Sequence, residues 1–446
     1  MSRASRLPYV LLLLTVGVTS TPLIPISSSA RPLTLLLALP VLLLHILNRR
    51  GFGRGALNVF VGLLAFYLVF LQLFVLVNPN PQINFIFKGQ SYFQDIFSAL
   101  LTVVVFLLHY FAFRAAFVYL GAARATAWVI YGVAVSALVG VLQWILNQAG
   151  LAELSHRVTS VFSVSAIVWR DRVRGLAFEP SWLASQITVF LIPLLAYRYL
   201  VVMKPVTVFA LGGRRVGVGA VLAGIGVLAL AMTFSRGGLA ALLGTAMMVL
   251  LYLTKNVNRV RNIVRATLIA MAVVVTAYGV SNNAYVASAL GGLQQAGDVQ
   301  TAFATANAGP RFAAWEAAAD TFSQHPYFGV GLGLQHRYFA ASPPRWAVSL
   351  PEVQAWLNPA VPDRGNPKNL LLKLLSESGL VGAILFAATF MVALIQGRNW
   401  TLALFMLPGL LVDFFSLDSL ALITCPLALV LFSEVSYARK RRYNQL

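Results

Sequence analysis

Charge is scarce in this sequence. Asp, Glu, Lys and Arg make up 10% of its 446 residues, where a soluble domain carries roughly 25%, so water is not its main solvent. Cysteine is nearly absent. The single one, Cys425, sits inside an apolar run; this excludes an intrachain disulfide and a cysteine-based metal cluster, and leaves a small buried hydrophobe. Histidine is no better placed for a metal. His325 and His336 stand 11 residues apart with no carboxylate at ligand spacing, a pattern that argues against zinc. No internal repeat is evident, which weakens a reading as a transporter built from inverted halves. Acidic residues are the rarer charge, 13 against 33 basic ones, for a formal charge of +20. In a soluble protein that imbalance would point to nucleic acid, but the positions of the charges point elsewhere.

What the chain has in excess is apolar surface. Hydrophobic residues make up 59% of it and its mean hydropathy is +0.80. Apolar runs near 20 residues recur from end to end, each long enough to cross about 30 Å of hydrocarbon. Backbone polar groups in lipid must be satisfied within the segment, so uninterrupted runs mean helices and not the alternation of a barrel. The expected fold class is an all-α integral membrane protein of twelve transmembrane helices with one large outer loop region containing short helices. The spans fall at 7–25, 32–47, 56–77, 95–113, 126–148, 181–197, 216–234, 238–254, 266–281, 378–396, 400–416 and 419–436. Three parts follow: 1–281 with nine helices and the outer segment 149–180, a cap at 282–369, and 370–446 with three helices and a basic tail.

Orientation comes from Lys and Arg in alternate loops, since cytoplasmic loops retain positive charge. One set of segments includes Arg49, Arg50 and Arg54, then Lys255 to Arg265, then Arg439 to Arg442, and holds 20 of the 33 basic residues. Both termini belong to that set and are expected in the cytoplasm. Of the 13 acidic residues only Glu434 shares it. The excess positive charge therefore faces anionic membrane lipids, and no nucleic-acid partner is expected. Arg3 and Arg6 before an apolar run resemble a signal peptide, but Ser27–Ala30 makes a poor cleavage site.

Several residues at the outer edge are able to carry chemistry. Arg236, in Thr233-Phe-Ser-Arg-Gly-Gly238, lies between two apolar spans, where an arginine either snorkels or binds an anion. Gly237 and Gly238 would let a ligand approach the backbone. In Arg174-Gly-Leu-Ala-Phe-Glu-Pro-Ser-Trp182, Pro180 and Ser181 suit a helix start. Arg174 and Glu179 either pair with each other or serve an anion and a proton, Glu179 then being a candidate general base. The cap gathers Arg311, His325, His336, Arg337, Arg364, Lys368 and Asn369, a set that suits an anionic ligand better than a metal. Gly329-Val-Gly-Leu-Gly333 is a weak phosphate-loop signal without a strand–turn–helix context. Asp413 and Asp418 sit in a short outer turn, where a solvated loop charge is the plainer reading.

In this order the pieces resemble the O-antigen ligase and polymerase superfamily of envelope glycan assembly, membrane glycosyltransferases of the GT-C type. Arg174-Gly, Phe178-Glu-Pro-Ser181, Ser235-Arg-Gly237, Arg311 to Gly333, and Asn369 to Gly382 carry the resemblance, which runs over nearly the whole chain. It implies a metal-independent, inverting glycosyl transfer on the periplasmic face of the bacterial inner membrane, with no cofactor. The donor is then an undecaprenyl-pyrophosphate-linked glycan and the acceptor a lipid-linked glycan or lipid A–core; a chain-length regulator protein is a candidate partner. The resemblance puts Arg236 and Arg311 at the pyrophosphate, and adds Arg174, Arg337, Lys368 and Asn369 as candidate substrate ligands. One departure stands out. Ligases of this kind carry His-Asn where this chain has Lys368-Asn369, and a lysine is a poor base near neutral pH. Glu179, His336 and Asp418 are therefore the candidate catalytic groups, in that order. The departure and the Phe-Glu-Pro-Ser motif favour a polymerase over a ligase, with protein oligosaccharyltransferases of the same superfamily behind both. A lipid-linked-sugar flippase or secondary transporter is the rival from another class; it calls for charge at mid-membrane, which the spans lack.

Overall fold

Long apolar runs become long helices. The computed structural model describes residues 6–24, 31–48, 51–52, 55–165, 167–202, 207–211, 214–254, 309–361, 363–416, 419–420 and 422–435. Before the cap come α1 (Leu7–Leu14), α2 (Thr34–Leu47), α3 (Ala56–Val77), α4 (Tyr92–Leu120), α5 (Ala122–Gln148) and α6 (Ala152–Ser160). α7 (Pro180–Leu200) follows, then strands β1 (Thr207–Leu211) and β2 (Arg214–Gly217), α8 (Val218–Thr233) and α9 (Arg236–Thr254). The cap holds α10 (Gly309–Gln324), α11 (Gln335–Ala341) and α12 (Pro351–Leu357); α13 (Leu370–Gly397), α14 (Trp400–Phe414) and α15 (Thr424–Glu434) close the chain.

Six of these helices, α3, α4, α5, α7, α9 and α13, are long and apolar enough to cross a membrane, and the apolar stretches Leu7–Gly17, α2, α8, α14 and α15 are shorter. Each coincides with an expected span. The expected span 266–281, residues 282–308 of the cap, Asp418 and the basic tail from 436 lie outside the described residues. Among the described residues the fold is helical apart from one antiparallel ribbon, in which Leu211 faces Arg214 and Thr207 faces Gly217.

Local chemistry explains where helices begin and bend. Ser91 and Gln94 form a capping box at the start of α4, with Gln94 N–H donating to Ser91 Oγ at 3.3 Å and Ser91 N–H to Gln94 Oε1 at 2.7 Å, so two orphan donors are satisfied. α7 widens to a π turn at Ile187–Leu191, just before Pro193, which has no N–H to offer and whose ring crowds the carbonyl four residues back. The main core runs from α1 through α5 to α7 and α13–α15, and includes Tyr9, Phe113, Phe190 and Leu427. α9 lies along α14, α3 along α13, and α2 and α15 along α4.

α13 is broken. Gly379 has φ 64° and ψ −170°, a combination essentially restricted to glycine. The carbonyls and N–H groups freed at the break are taken up by the loop Pro326–Gly331. Val330 N–H donates to Ser376 O at 3.0 Å, Gly331 N–H to Glu377 O at 2.9 Å, and Leu380 N–H returns a bond to Pro326 O at 2.8 Å. Tyr67 Oη–H donates to Ser378 O at 2.6 Å. A Cβ on Gly329 (φ +68°) would meet the carbonyl of Glu377. The Gly329–Gly333 motif is thus a docking strip for a split helix and not a phosphate loop. It joins the cap to the bundle. A second core within the cap packs Ala313, Ala317, Phe339, Val353 and Trp356.

Candidate functional site

The six residues Thr233–Gly238 make a tight helix–helix turn. Phe234 takes a left-handed conformation (φ 48°, ψ 36°) that ends α8. Ser235 N–H donates to Thr233 Oγ1 at 3.2 Å, and Ser235 Oγ accepts from Gly238 N–H at 3.2 Å, so Ser235 caps α9. Arg236 becomes the first residue of that helix and is exposed. The two glycines serve packing: a Cβ on Gly238 would lie 2.7 Å from Ala184 Cβ, and one on Gly237 2.9 Å from Val412 Cγ1. Their smallness lets α9 sit close to α7 and α14.

Arg236 lines a cavity of about 390 Å³ with Arg172, Glu179, Ser181, Ser185, Arg311, Trp315 and Asp413, a volume within the usual range of small-molecule clefts, about 300–1,000 Å³. Three helix starts converge on it: Glu179–Ser181 at the head of α7, Ser235–Gly238 at the head of α9, and Arg311 in the first turn of α10. Each brings the positive end of its helix dipole towards the cavity. With Arg172, Arg236 and Arg311 against the carboxylates of Glu179 and Asp413, the lining is a ready anion site. Arg172 Nε–H donates to Thr233 O at 2.8 Å and its guanidinium lies 5.4 Å from the Trp169 ring centroid. Glu179 accepts from Ser181 Oγ–H at 2.5 Å. Asp413, at the C-terminal end of α14, is buried and accepts a hydrogen bond from Ser185. The solvated loop charge expected of Asp413 is thereby corrected: packing of α14 against α7 carries it into the cavity wall.

Other expected site residues lie elsewhere. Arg174 is 0% exposed; it neither pairs with Glu179 nor reaches the cavity, but donates to Ser163 Oγ at 2.6 Å and Thr159 Oγ1 at 3.1 Å. Burial pulls its guanidinium down to about 10, still protonated at neutral pH. Arg337, also 0% exposed, pairs with Asp95 at 2.6 Å and donates to the carbonyls of Ile83 at 3.1 Å and Gln90 at 3.0 Å, knitting the cap to the loop before α4. Asn369 is buried and caps α13 through Leu372 N–H at 3.1 Å. Lys368, with φ 43°, faces Glu352 at 3.9 Å with nearly half of each side chain exposed. None of these four lines the cavity.

His336 belongs to a second cavity, of about 550 Å³, lined also by Asp95, Gln335, Arg364, Lys373 and Glu377. Its Nε2 lies 3.3 Å from Asp95 Oδ2, and Arg364 pairs with the same carboxylate at 2.8 Å. Burial pulls the imidazole below its ordinary value, with Asp95 opposing the shift and Arg364 and Arg337 adding to it. Asp95, the hub of this network, was missed as a site residue. Asp95 sits at the start of a long apolar span, and that incongruity was the one signal available.

The helices define a multi-pass membrane protein whose first cavity gathers three arginines and two carboxylates. Residues 219–387 match the family model described as O-antigen ligase (Wzy_C). The match takes in α8, α9, the cap and the split in α13, so both Arg236 and Arg311 fall inside it, and it supports the O-antigen ligase and polymerase superfamily for this chain. No curated protein gave a match.

Proposed function

We propose that the protein is an inner-membrane glycosyltransferase that polymerises undecaprenyl-pyrophosphate-linked oligosaccharide repeats on the periplasmic face, both termini lying in the cytoplasm. One observation carries the reading: Arg236 and Arg311, 75 residues apart in sequence, line one cavity with Glu179. Guanidinium groups stay charged and grip phosphate oxygens in pairs. As the acceptor hydroxyl attacks the anomeric carbon, the bond to the diphosphate breaks and negative charge grows on the leaving oxygen. Cations already in place stabilise that state more than the bound donor. Glu179 takes the proton of the attacking hydroxyl, with Ser181 holding the carboxylate. The departing group is undecaprenyl diphosphate and the product is a lengthened lipid-linked chain.

A ligase is the second reading, favoured by the description of the matching family; the lysine at position 368 favours the polymerase. Purified protein incubated with the lipid-linked repeat alone separates them. A ladder of longer lipid-linked products is expected. Product only after addition of lipid A–core means ligase, and transport without bond formation sinks both.

A further inference from the structure

The second cavity lies between the heads of α4 and α13 and the helix α11. Its lining is balanced, with Lys88, Arg364 and Lys373 against Asp95, Asp363 and Glu377. Arg364 is engaged with Asp95, and Lys88 with the carbonyls of Ala355 at 3.0 Å and Val361 at 2.7 Å. Unlike the first cavity, this one holds no surplus charge for an anion. Gln335 is the anomaly. It is 1% exposed, yet neither its amide nitrogen nor its amide oxygen has a hydrogen-bond partner, and it lines the cavity. A buried polar group left unmade is costly and calls for an explanation.

An amide offers a donor and an acceptor side by side, which matches neighbouring hydroxyls on a sugar ring. Glu377 and Asp95 add carboxylate acceptors, Ser98, Thr102 and Asn366 add smaller polar groups, and Leu332, Leu374 and Leu420 give apolar faces for ring C–H bonds. Ser416 lines the first cavity and Ser419 the second, so at those points the chain allows a separation of at most about 11 Å between Cα atoms. We propose that this second cavity is a saccharide site that holds the terminal sugar of the acceptor, read by Gln335 through its hydroxyls. The assignment to the acceptor rests on the glycosyltransferase reading; the first cavity keeps the diphosphate.

Single-cysteine reporters test it, since the native Cys425 is buried and supplies the blank. One reporter is Thr102→Cys in the second cavity, the other Val412→Cys in the first, and each is labelled with a maleimide in detergent. The probes are inorganic pyrophosphate and the lipid-free oligosaccharide repeat released by mild acid. The saccharide is expected to slow labelling at 102 and not at 412, and pyrophosphate to do the reverse. Gln335→Leu should raise the half-protecting saccharide concentration about tenfold, the loss of one or two neutral hydrogen bonds. Its pyrophosphate protection at 412 should be unchanged, which shows that the variant folds. Gln335→Glu, closer in shape, is expected to fall between. Saccharide protection at 412 alone, at neither position, or at 102 with no effect of Gln335→Leu overturns the site. If 102 is protected but the parent never lengthens a lipid-linked glycan, the saccharide site stands and the polymerase reading falls. If glycan lengthens and 102 stays unprotected, the site falls instead.

Discussion

Arg236 and Arg311 differ from Arg174 and Arg337 in what surrounds them, although all four are arginines in an apolar protein. The first pair is exposed in a cavity, the second sealed at 0% exposure. Removing a cation that acts mainly on the leaving group lowers turnover. Arg236→Ala and Arg311→Ala should each cost about 100- to 1,000-fold in kcat while the protein still reaches the membrane; wild-type turnover from either removes the clamp. Removing one partner of a buried pair unfolds. Arg337→Ala should strip Asp95 of its closest partner and lose about 3–5 kcal/mol, read as a lowered unfolding temperature in detergent. For the proton, Glu179→Gln should lose more activity than Lys368→His, and the reverse order refutes the assignment of Glu179. His336 gives a pH test. Its folded value lies below its ordinary one, so its contribution is fully present above about pH 6.5 and is lost as pH falls below that, where the unfolded chain binds the proton first. The unfolding temperature should therefore drop between neutral and mildly acid pH, and His336→Gln should remove part of that drop.

At the scale of the element, the break in α13 and the turn between α8 and α9 matter most. A helix interrupted near a membrane surface exposes backbone groups that must find partners, and here the cap loop supplies them. Gly379→Ala forces a side chain into a conformation that costs about 1–3 kcal/mol and onto the carbonyl of Tyr327. The expected result is a loosened cap, seen as faster proteolysis within 309–369 while the transmembrane part stays intact. The turn at Thr233–Gly238 was legible as an unusual arginine between apolar runs. Its meaning as a helix cap followed by a close-packed glycine pair was not, because neither the Ser235 cap nor the contact with Ala184 leaves a mark on hydropathy.

At the scale of the molecule, the orientation has its own test. A cysteine introduced at Arg345, in the cap, should react with a membrane-impermeant maleimide in intact spheroplasts. Labelling only after the membrane is opened would put the cap in the cytosol and end the periplasmic reading. Labelling of intact spheroplasts would place the cap, and with it the Arg311 side of the first cavity and the His336 side of the second, on the outer side of the bilayer.

The sequence by itself determined that the chain crosses a membrane repeatedly, because hydrophobic run length is a one-dimensional quantity and lipid demands it. It also marked Arg236 and Glu179, since charge at the edge of an apolar run is conspicuous wherever it falls, while Arg311 stood out among the cations of the cap and through the family resemblance. Only the tertiary structure decided that these three share a cavity while Arg174, Arg337 and Asn369 are buried away from it. That sorting depends on which helix starts converge and which guanidinium groups packing seals from solvent, and both are set by contacts between residues far apart in the chain. Asp95 and Gln335 were invisible for the same reason: what marks each is the company it keeps after folding.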